Sequence, residues 1–354
     1  MSQPADPTAR PAGRSGARTP PRRGAARKRL ATAGRAVFLL AALGLLSWQV
    51  GRDADGVAGA LHRIGVGHGL LSVLAALVGL GASGLAWRSL LAALGSPLPV
   101  AAVPPVFFVA QIGKYLPGAV WPYLAQVRLG RQYGVPGSRS AVGSMLFVVA
   151  HCASGGAVAA AVLPWTDPDV TRRFWWALVL APLLLVLLHP RVLLPLLRRA
   201  HRLARRGTPP DRLDGRGVAA ALGWLLVTWT FYGASLFVLL SPLAGGPGDP
   251  VGSTGSQAAI ALGGYALAWT VGFCAAAVLV VAAPAGLGFR EVVMIAVLAP
   301  VLPAGAATAV ALVSRVVQTV GDALWALAGL AVAARSRSAT AADDDPADAL
   351  SAQD

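Results

Sequence analysis

Charged residues are scarce in this sequence. They make up only 13% of its 354 residues, whereas 56% are hydrophobic. A soluble domain carries about 25% charged residues, so the composition excludes an ordinary soluble fold. Long apolar runs recur along the chain, and each approaches or exceeds the roughly 20 residues that cross a bilayer as a helix. The clearest runs are Gly69–Trp87, Ala141–Leu163, Val218–Leu240, Ala258–Ala283 and Ala304–Ala334. The sequence therefore predicts an all-α fold, a polytopic membrane helical bundle.

Cysteine is scarce as well. Cys152 and Cys274 both lie in apolar runs, where they are expected to pack as small hydrophobic side chains rather than form a disulfide or a metal pair. The sequence has no Cys/His cluster with metal-ligand spacing, no glycine-rich phosphate loop and no catalytic triad motif. We therefore expect no enzymatic activity, no cofactor, no catalytic residue and no metal site.

The formal net charge is +15, but the placement of the basic residues argues against a nucleic-acid partner. Nine Lys or Arg residues lie between Arg10 and Arg35, and eight more lie between Arg191 and Arg216. Short membrane loops rich in these residues stay in the cytoplasm, and they also attract anionic lipid. The pattern predicts a multi-pass protein of the cell membrane with a cytoplasmic N-terminus. Residues 1–35 are expected to be disordered and basic, 36–334 to form the membrane domain, and 335–354 to be a disordered acidic tail.

The apolar runs predict seven or eight spans, of which the first is a short span at about Ala36–Val50. Two further apolar stretches, Val100–Ile112 and Val292–Leu302, are too short to span alone. If both are re-entrant, seven spans remain and the C-terminus lies outside. Arg335 and Arg337 favour an inside end, which requires one of the short segments to cross.

Two stretches rich in proline and glycine interrupt the apolar chain. They are "KYLPGAVWP", from Lys114 to Pro122, and "APAGLGFRE", from Ala283 to Glu291. Proline removes a helical hydrogen bond and glycine loosens a helix, so both stretches predict non-helical breaks. Irregular backbone at membrane depth is tolerated only where it is buried in protein or faces a wet cavity. We therefore expect both breaks to lie inside the bundle.

The two stretches share a spacing that suggests an internal repeat. Pro117 and Pro136 are nineteen residues apart, and so are Pro284 and Pro303. In each pair the second proline precedes a long apolar helix. Transporters are often built from internal repeats whose broken helices meet near the midplane. Chance spacing is the alternative, and a true repeat predicts the same order of break, short helix, turn and long helix in both units.

Charged side chains in the two breaks are candidates for function. Glu291 is the only glutamate of the chain, and Lys114 is one of two lysines. Charges at membrane depth are costly and tend to mark functional sites. The alternative is that both residues mark interfacial helix ends, with Lys114 extending to the headgroups.

A polar stripe on the last long helix adds to these candidates. Arg315, Gln318, Thr319 and Asp322 fall on one helical face. The stripe serves either as structural glue between helices or, together with the breaks, as an anion-binding cavity, because arginine suits phosphate. The candidate binding residues are Lys114, Pro117, Gly118, Trp121, Arg128, Pro284, Gly286, Gly288, Arg290, Glu291, Arg315, Gln318 and Asp322.

Three segments carry a resemblance to a known family. The segments "GKYLPGAVWPYLAQVRLGRQYGV", "PAGLGFREVVMIAVL" and "ALVSRVVQTVGDALW" resemble the lysylphosphatidylglycerol synthase transmembrane family, a flippase-like membrane domain. The resemblance covers about residues 36–334 and implies handling of a lipid in the membrane. It also implies a stand-alone member without the synthase domain. The first motif departs from many members, because Val120, Trp121 and Pro122 stand where those members carry an acidic residue.

Two functions remain open at this point. The first is translocation of a lipid or lipid-linked headgroup, of a phospholipid or a polyprenyl-phosphate glycolipid, with membrane lipids as the partners. The second is a non-transporting membrane subunit that acts as a scaffold for a glycosyltransferase or another lipid-modifying enzyme. The two differ in what the polar face contacts, which is a headgroup in the first case and a partner protein in the second.

Overall fold

The computed structural model describes residues 50–115, 120–165, 213–243, 254–278 and 288–343, together with a few isolated positions. Regular structure in these residues is entirely helical, which confirms the predicted fold class. The helices are α1 (Ala54–Ala93), α2 (Val100–Tyr115), α3 (Trp121–Arg131), α4 (Gly137–Val162), α5 (Gly215–Leu240), α6 (Thr254–Val278), α7 (Phe289–Leu298) and α8 (Ala304–Asp343). Of these, α2 is a composite of short 3₁₀, π and α turns.

Five helices of the described residues are long and apolar enough to cross a membrane. These candidate spans are Ala54–Ala93, Gly137–Val162, Gly215–Leu240, Thr254–Cys274 and Ala304–Ser336, and they coincide with the five long apolar runs of the sequence. The predicted short first span, the basic N-terminal segment and the prolines and glycines at the centre of both breaks (Pro117, Gly118, Pro284 and Gly286) lie outside the described residues. Because α8 continues past Ala334 to Asp343, the first part of the predicted tail is helical.

The first helix contains a kink. Gly65 has φ 59° and ψ 173°, which divides α1 into a short initial part and a longer part. A side chain at this residue would disfavour that conformation, whereas glycine adopts it readily. Asp53 caps the start of α1, since its carboxylate accepts a hydrogen bond of 3.2 Å from the Gly56 amide.

Close contacts at glycine fix the direction of the first helices of the bundle. Gly217 at the start of α5 packs against Ala93 at the end of α1, and Gly143 of α4 packs against Leu91. The end of α1 and the starts of α4 and α5 therefore share one end of the bundle, called here the Ala93 end. Gly263 of α6 packs against Leu163, which follows α4. Since α4 runs away from the Ala93 end, α6 begins near the opposite end and runs back.

Close contacts at glycine also fix the directions of the last two helices. Gly272 of α6 packs against Arg290 of α7, and Gly264 packs against Val297, so α7 runs antiparallel to α6. Gly305 of α8 packs against Gly56 of α1, and α8 therefore begins at the end opposite Ala93, called here the Ala304 end. It runs parallel to α1, and Gly321 packs against Leu80.

The short helices α3 and α7 point in opposite directions. Gly113 of α2 packs against Pro122 of α3, so α2 and α3 form a hairpin that enters from the Ala93 end. From its tip, α3 returns to the Ala93 end, whereas α7 leads to the Ala304 end. Each short helix is followed by a turn and a long helix that begins directly after Pro136 or Pro303. The order of short helix, turn and long helix is thus the same after both stretches, and the two short helices run in opposite directions. The centres of the two breaks lie outside the described residues, so the repeat stays a prediction.

Large aromatic side chains hold the hairpin in place. Phe107 of α2 lies 5.3 Å from Trp87 of α1 and 5.2 Å from Phe147 of α4, as measured between ring centroids. Phe108 stacks on Trp325 of α8 at 4.6 Å. Such aromatic pairs contribute about 0.5–1.5 kcal/mol each beyond the area that they bury. This packing brings the tip of the hairpin against α8.

Candidate functional site on the last helix

The predicted polar stripe of α8 lies near the middle of the bundle, where Arg315, Gln318 and Asp322 face protein and Thr319 is exposed. Gly321 packs against Leu80 of α1. Leu80 is thirteen residues from Ala93, which corresponds to about 20 Å of helix, and it is a similar distance from the kink at Gly65. Because the hydrocarbon core of a bilayer is about 30 Å thick, polar groups at this level lie far from both ends of the bundle.

The first break contributes a lysine and a tyrosine to this face. Lys114 Nζ lies 2.6 Å from Asp322 Oδ2. The Tyr115 hydroxyl donates to the same carboxylate oxygen at 2.7 Å and lies 3.4 Å from Thr319 Oγ1. The side chain of Asp322 is only 1% exposed, whereas that of Lys114 is 27% exposed. The carboxylate is therefore the buried anchor of this group, and the lysine is its accessible member.

The second break contributes an arginine and a glutamate. Arg315 Nη1 of α8 lies 3.5 Å from Glu291 Oε1, and Arg290 Nη1 lies 3.6 Å from the same oxygen. The other carboxylate oxygen, Oε2, accepts a 2.9 Å hydrogen bond from the Gly288 amide and so caps α7. Gly288 adopts φ 93°, a conformation that favours glycine. Arg315 and Glu291, two of the sequence candidates, are therefore in contact in the structure.

Arg290 is a buried cation, with 5% of its surface exposed. Its Nη2 donates to Ser314 Oγ at 3.3 Å, and its guanidinium carbon lies 4.9 Å from the centre of the Tyr265 ring. A cation over an aromatic face gains up to about 2 kcal/mol when it is desolvated. The Nε of Arg290 has no hydrogen-bond partner among the described residues.

Gln318 links the two groups along α8. It accepts a 2.8 Å hydrogen bond from the Tyr265 hydroxyl, and its amide nitrogen lies 3.4 Å from the Tyr232 hydroxyl. Neither of these tyrosines was among the sequence candidates. Their scarcity is the signal that could have identified them. The chain has only five tyrosines, and three of them, Tyr115, Tyr232 and Tyr265, contact this face of α8.

The remaining candidates lie elsewhere. Trp121 begins α3 beside Gly113 and is 47% exposed. Arg128 is exposed in the last turn of α3, about 10 Å of helix from Trp121 in the direction of the Ala93 end. The structure thus brings Lys114, Arg290, Glu291, Arg315, Gln318 and Asp322 to one face of α8, and it places Arg128 away from that face.

A helical bundle with candidate spans and charged pairs deep between its helices defines an integral membrane protein with a polar centre. The chain belongs to the family of the lysylphosphatidylglycerol synthase TM region, whose model matches residues 33–326. This match confirms the resemblance that the sequence motifs carry. No curated protein matches the chain.

Proposed function

We propose that this protein translocates a lipid or lipid-linked headgroup across the bilayer, and that the polar face of α8 forms part of the path. The observation that carries the proposal is the pairing of accessible cations with buried carboxylates at mid-bundle. Lys114 is held by Asp322, and Arg315 is held by Glu291. An acyl chain moves through lipid without assistance, whereas a charged headgroup must be solvated on its way through the hydrocarbon core.

Arginine and lysine at these positions suit a phosphate group. The guanidinium of Arg315 presents a planar fork of donors that matches phosphate oxygens, and the ammonium of Lys114 acts as a point charge. Thr319 lies between Arg315 and Asp322 in the sequence of α8, and its hydroxyl and that of Tyr115, 3.4 Å apart, supply further hydrogen-bonding groups. A phosphate that enters this region replaces part of its hydration with these groups, which lowers the barrier to crossing.

The orientation of the protein belongs to the same proposal. α8 ends at the Ala93 end of the bundle, where α5 also begins, so Arg335 and Arg216 lie at the same end. The basic loop that precedes α5 contains eight Lys or Arg residues between Arg191 and Arg216. By the positive-inside rule, this end faces the cytoplasm. A cytoplasmic C-terminus fits the alternative of the sequence analysis in which one short segment crosses. We propose that this segment is the one that contains α7, because α7 leads from mid-bundle to the Ala304 end.

A translocation assay with purified protein tests the proposal. Fluorescent phospholipids in liposomes are bleached by a reductant that reaches only the outer leaflet, and the rate of loss of protected lipid is compared between variants. Arg315→Ala is expected to reduce the rate at least about tenfold, because it removes the guanidinium donors that replace the hydration of the phosphate. A tenfold change in rate corresponds to about 1.4 kcal/mol in the barrier. Arg335→Ala is the matched control, because this exposed arginine lies on the same helix, outside the polar face.

The folded state of each variant is checked by gel filtration and by thermal unfolding in detergent. Equal rates for folded Arg315→Ala and wild type would contradict a role of this residue with the headgroup. Absence of translocation by the wild type across phospholipids and polyprenyl-phosphate lipids would instead favour the scaffold for a lipid-modifying enzyme.

A further inference from the structure

The two cysteines of the chain come together in the fold. Cys152 lies in α4 and Cys274 lies in α6, on helices that are far apart in the sequence. Their side chains interact, and both are free thiols. The chain has no third cysteine, so each thiol has the other as its single possible sulfur partner within the molecule. Such a pairing is not expected of side chains that serve only as small hydrophobic residues.

The packing of α4 against α6 places the two thiols opposite each other. These helices are antiparallel, and they approach closely where a Cβ added at Gly155 would lie 2.5 Å from Thr270 Oγ1. Cys152 is about one turn from Gly155 towards the Ala93 end, and Cys274 is about one turn from Thr270 in the same direction. Because steps of three and four residues return to the same helical face, both side chains project into the space between the helices. Such close packing suits a disulfide, whose Cα atoms lie about 4.4–6.8 Å apart.

The surroundings of the pair favour a bond between the two sulfurs over a metal site. Structural metal sites with thiolate ligands use four ligands, and the described residues contain no group of three or more His, Cys, Asp or Glu side chains that could hold a metal ion. His151, the neighbour of Cys152, packs its ring against Trp229 and Trp269 at centroid distances of 4.6 and 4.1 Å. The two thiols also differ in access, since Cys152 is 6% exposed and Cys274 is half-buried.

We propose that Cys152 and Cys274 form a site of reversible oxidation, at which a hydroperoxide converts the two thiols into a disulfide. The sulfur of Cys274, the more accessible thiol, attacks the hydroperoxide. The O–O bond breaks, Cys274 becomes a sulfenic acid, and its proton leaves with the other oxygen as an alcohol, or as water from hydrogen peroxide. The sulfur of Cys152 then attacks the sulfur of Cys274, the S–O bond breaks, and the hydroxyl group leaves as water with the proton of Cys152. Two thiols thus lose two electrons to one hydroperoxide, and a thiol reductant reverses the change by exchange.

The disulfide ties α4 to the helix that leads into the second break. Cys274 is two residues beyond Gly272, where an added Cβ would lie 3.0 Å from Arg290 in the first turn of α7. A bond from Cys274 to Cys152 therefore fixes the part of α6 that supports α7. A cross-link between residues far apart in the sequence restricts the unfolded chain most strongly, so the oxidised protein is expected to be more stable than the reduced one. This inference does not depend on the proposed translocation.

Oxidation of the purified wild-type protein tests the site. The reduced protein in detergent is treated with cumene hydroperoxide, an apolar hydroperoxide that enters micelles. Remaining thiols are alkylated after unfolding, and the peptides are analysed by mass spectrometry without reductant. We expect both free thiols to disappear and a cross-linked pair of peptides that contain Cys152 and Cys274 to appear, which dithiothreitol separates again. The melting temperature of the oxidised monomer is expected to rise and to return to its initial value after reduction.

Single variants separate the two steps of the reaction. Alanine is the replacement, because a serine hydroxyl in this apolar space would need a hydrogen-bond partner. Cys152→Ala should stop at a sulfenic acid on Cys274, which dimedone labels. Cys274→Ala should leave Cys152 as a free thiol after the same treatment, because that side chain is 6% exposed. The double variant is the control for oxidation at methionine, and its melting temperature should not rise.

Several results would overturn the inference. Thiols that stay free in the folded wild type, while they react in the unfolded protein, would show that the pair is not open to a hydroperoxide. Separate sulfinic acids on Cys152 and Cys274, or disulfides between two molecules, would show that the two sulfurs do not meet within one chain. A fall in the melting temperature of the cross-linked monomer would show that α4 and α6 must leave their native packing to form the bond.

Discussion

The ion pair between Lys114 and Asp322 offers a sharp test of how the first break is held against α8. The change is Lys114→Met, alone and together with Asp322→Asn. Asp322 Oδ2 lies 2.6 Å from Lys114 Nζ and accepts a 2.7 Å hydrogen bond from the Tyr115 hydroxyl. Because its side chain is 1% exposed, loss of the lysine leaves a carboxylate that has little access to water.

The magnitude follows from this burial. Removing one partner of a buried ion pair costs about 3–5 kcal/mol, but the 27% exposure of Lys114 and the remaining bond to Tyr115 reduce the cost. We expect Lys114→Met to lower the free energy of unfolding by about 2–3 kcal/mol. Asp322→Asn should cost less, about 1–2 kcal/mol, because the lysine that it strands can turn towards water.

A double-mutant cycle measures the pair directly. The double variant leaves no buried charge unpaired at this position, so its cost should fall short of the sum of the two single costs by about 1–2 kcal/mol. The free energy of unfolding is measured by denaturant titration in mixed micelles. Ser72→Ala combined with Asp322→Asn is the control, since Ser72 bonds to Ser235 between α1 and α5 and shares no partner with Asp322. Additive costs for Lys114 and Asp322 would refute the reasoning.

Two further changes test the packing and the start of α7. Gly155→Ala should lower the melting temperature, because the new Cβ would lie 2.5 Å from both Trp229 and Thr270 and force α4 away from them. Such overpacking lowers the free energy of unfolding by about 1–3 kcal/mol. Gly223→Ala, where the Cβ meets nothing within 4 Å, is its matched control, and equal melting temperatures for the two would contradict the packing. Gly288→Ala should destabilise by about 1–3 kcal/mol because of its φ of 93°; an unchanged unfolding midpoint would show that α7 begins differently.

The sequence predicted the parts of the site that depend on local pattern. The periodicity of α8 placed Arg315, Gln318 and Asp322 on one face, and the rarity of glutamate identified Glu291 as a candidate functional residue. These inferences succeed because helical spacing fixes which residues share a face, regardless of the rest of the fold. The five long spans were predicted for a similar reason, since each run carries its own apolar length.

Other contacts depend on the direction in which elements pack, and local pattern does not encode it. The sequence placed Asp322 only on the polar stripe of α8, whereas the structure pairs it with Lys114 of the first break. That pairing arises because the α2–α3 hairpin enters from the Ala93 end and ends against α8. Arg128 was included with the candidates for its place in the motif, yet α3 carries it away from the polar face. The nineteen-residue spacing likewise predicted an order of elements, but not that the short helices α3 and α7 run in opposite directions.

The electrostatics of the polar cluster on α8 support the proposed binding site over structural glue alone. A glue face between membrane helices gains most from neutral hydrogen bonds or balanced pairs, because each unbalanced charge adds a desolvation cost without a matching gain. The face of α8 has both kinds of contact. Gln318 with its two tyrosines is neutral and buried, as glue should be. On either side of it, the carboxylates are buried, with 1% and 6% of their side chains exposed, while Lys114 and Arg315 retain 27% and 17%. The third cation, Arg290, is as buried as the carboxylates. Lys114 and Arg315 are therefore the two cations that we propose to be available to a phosphate.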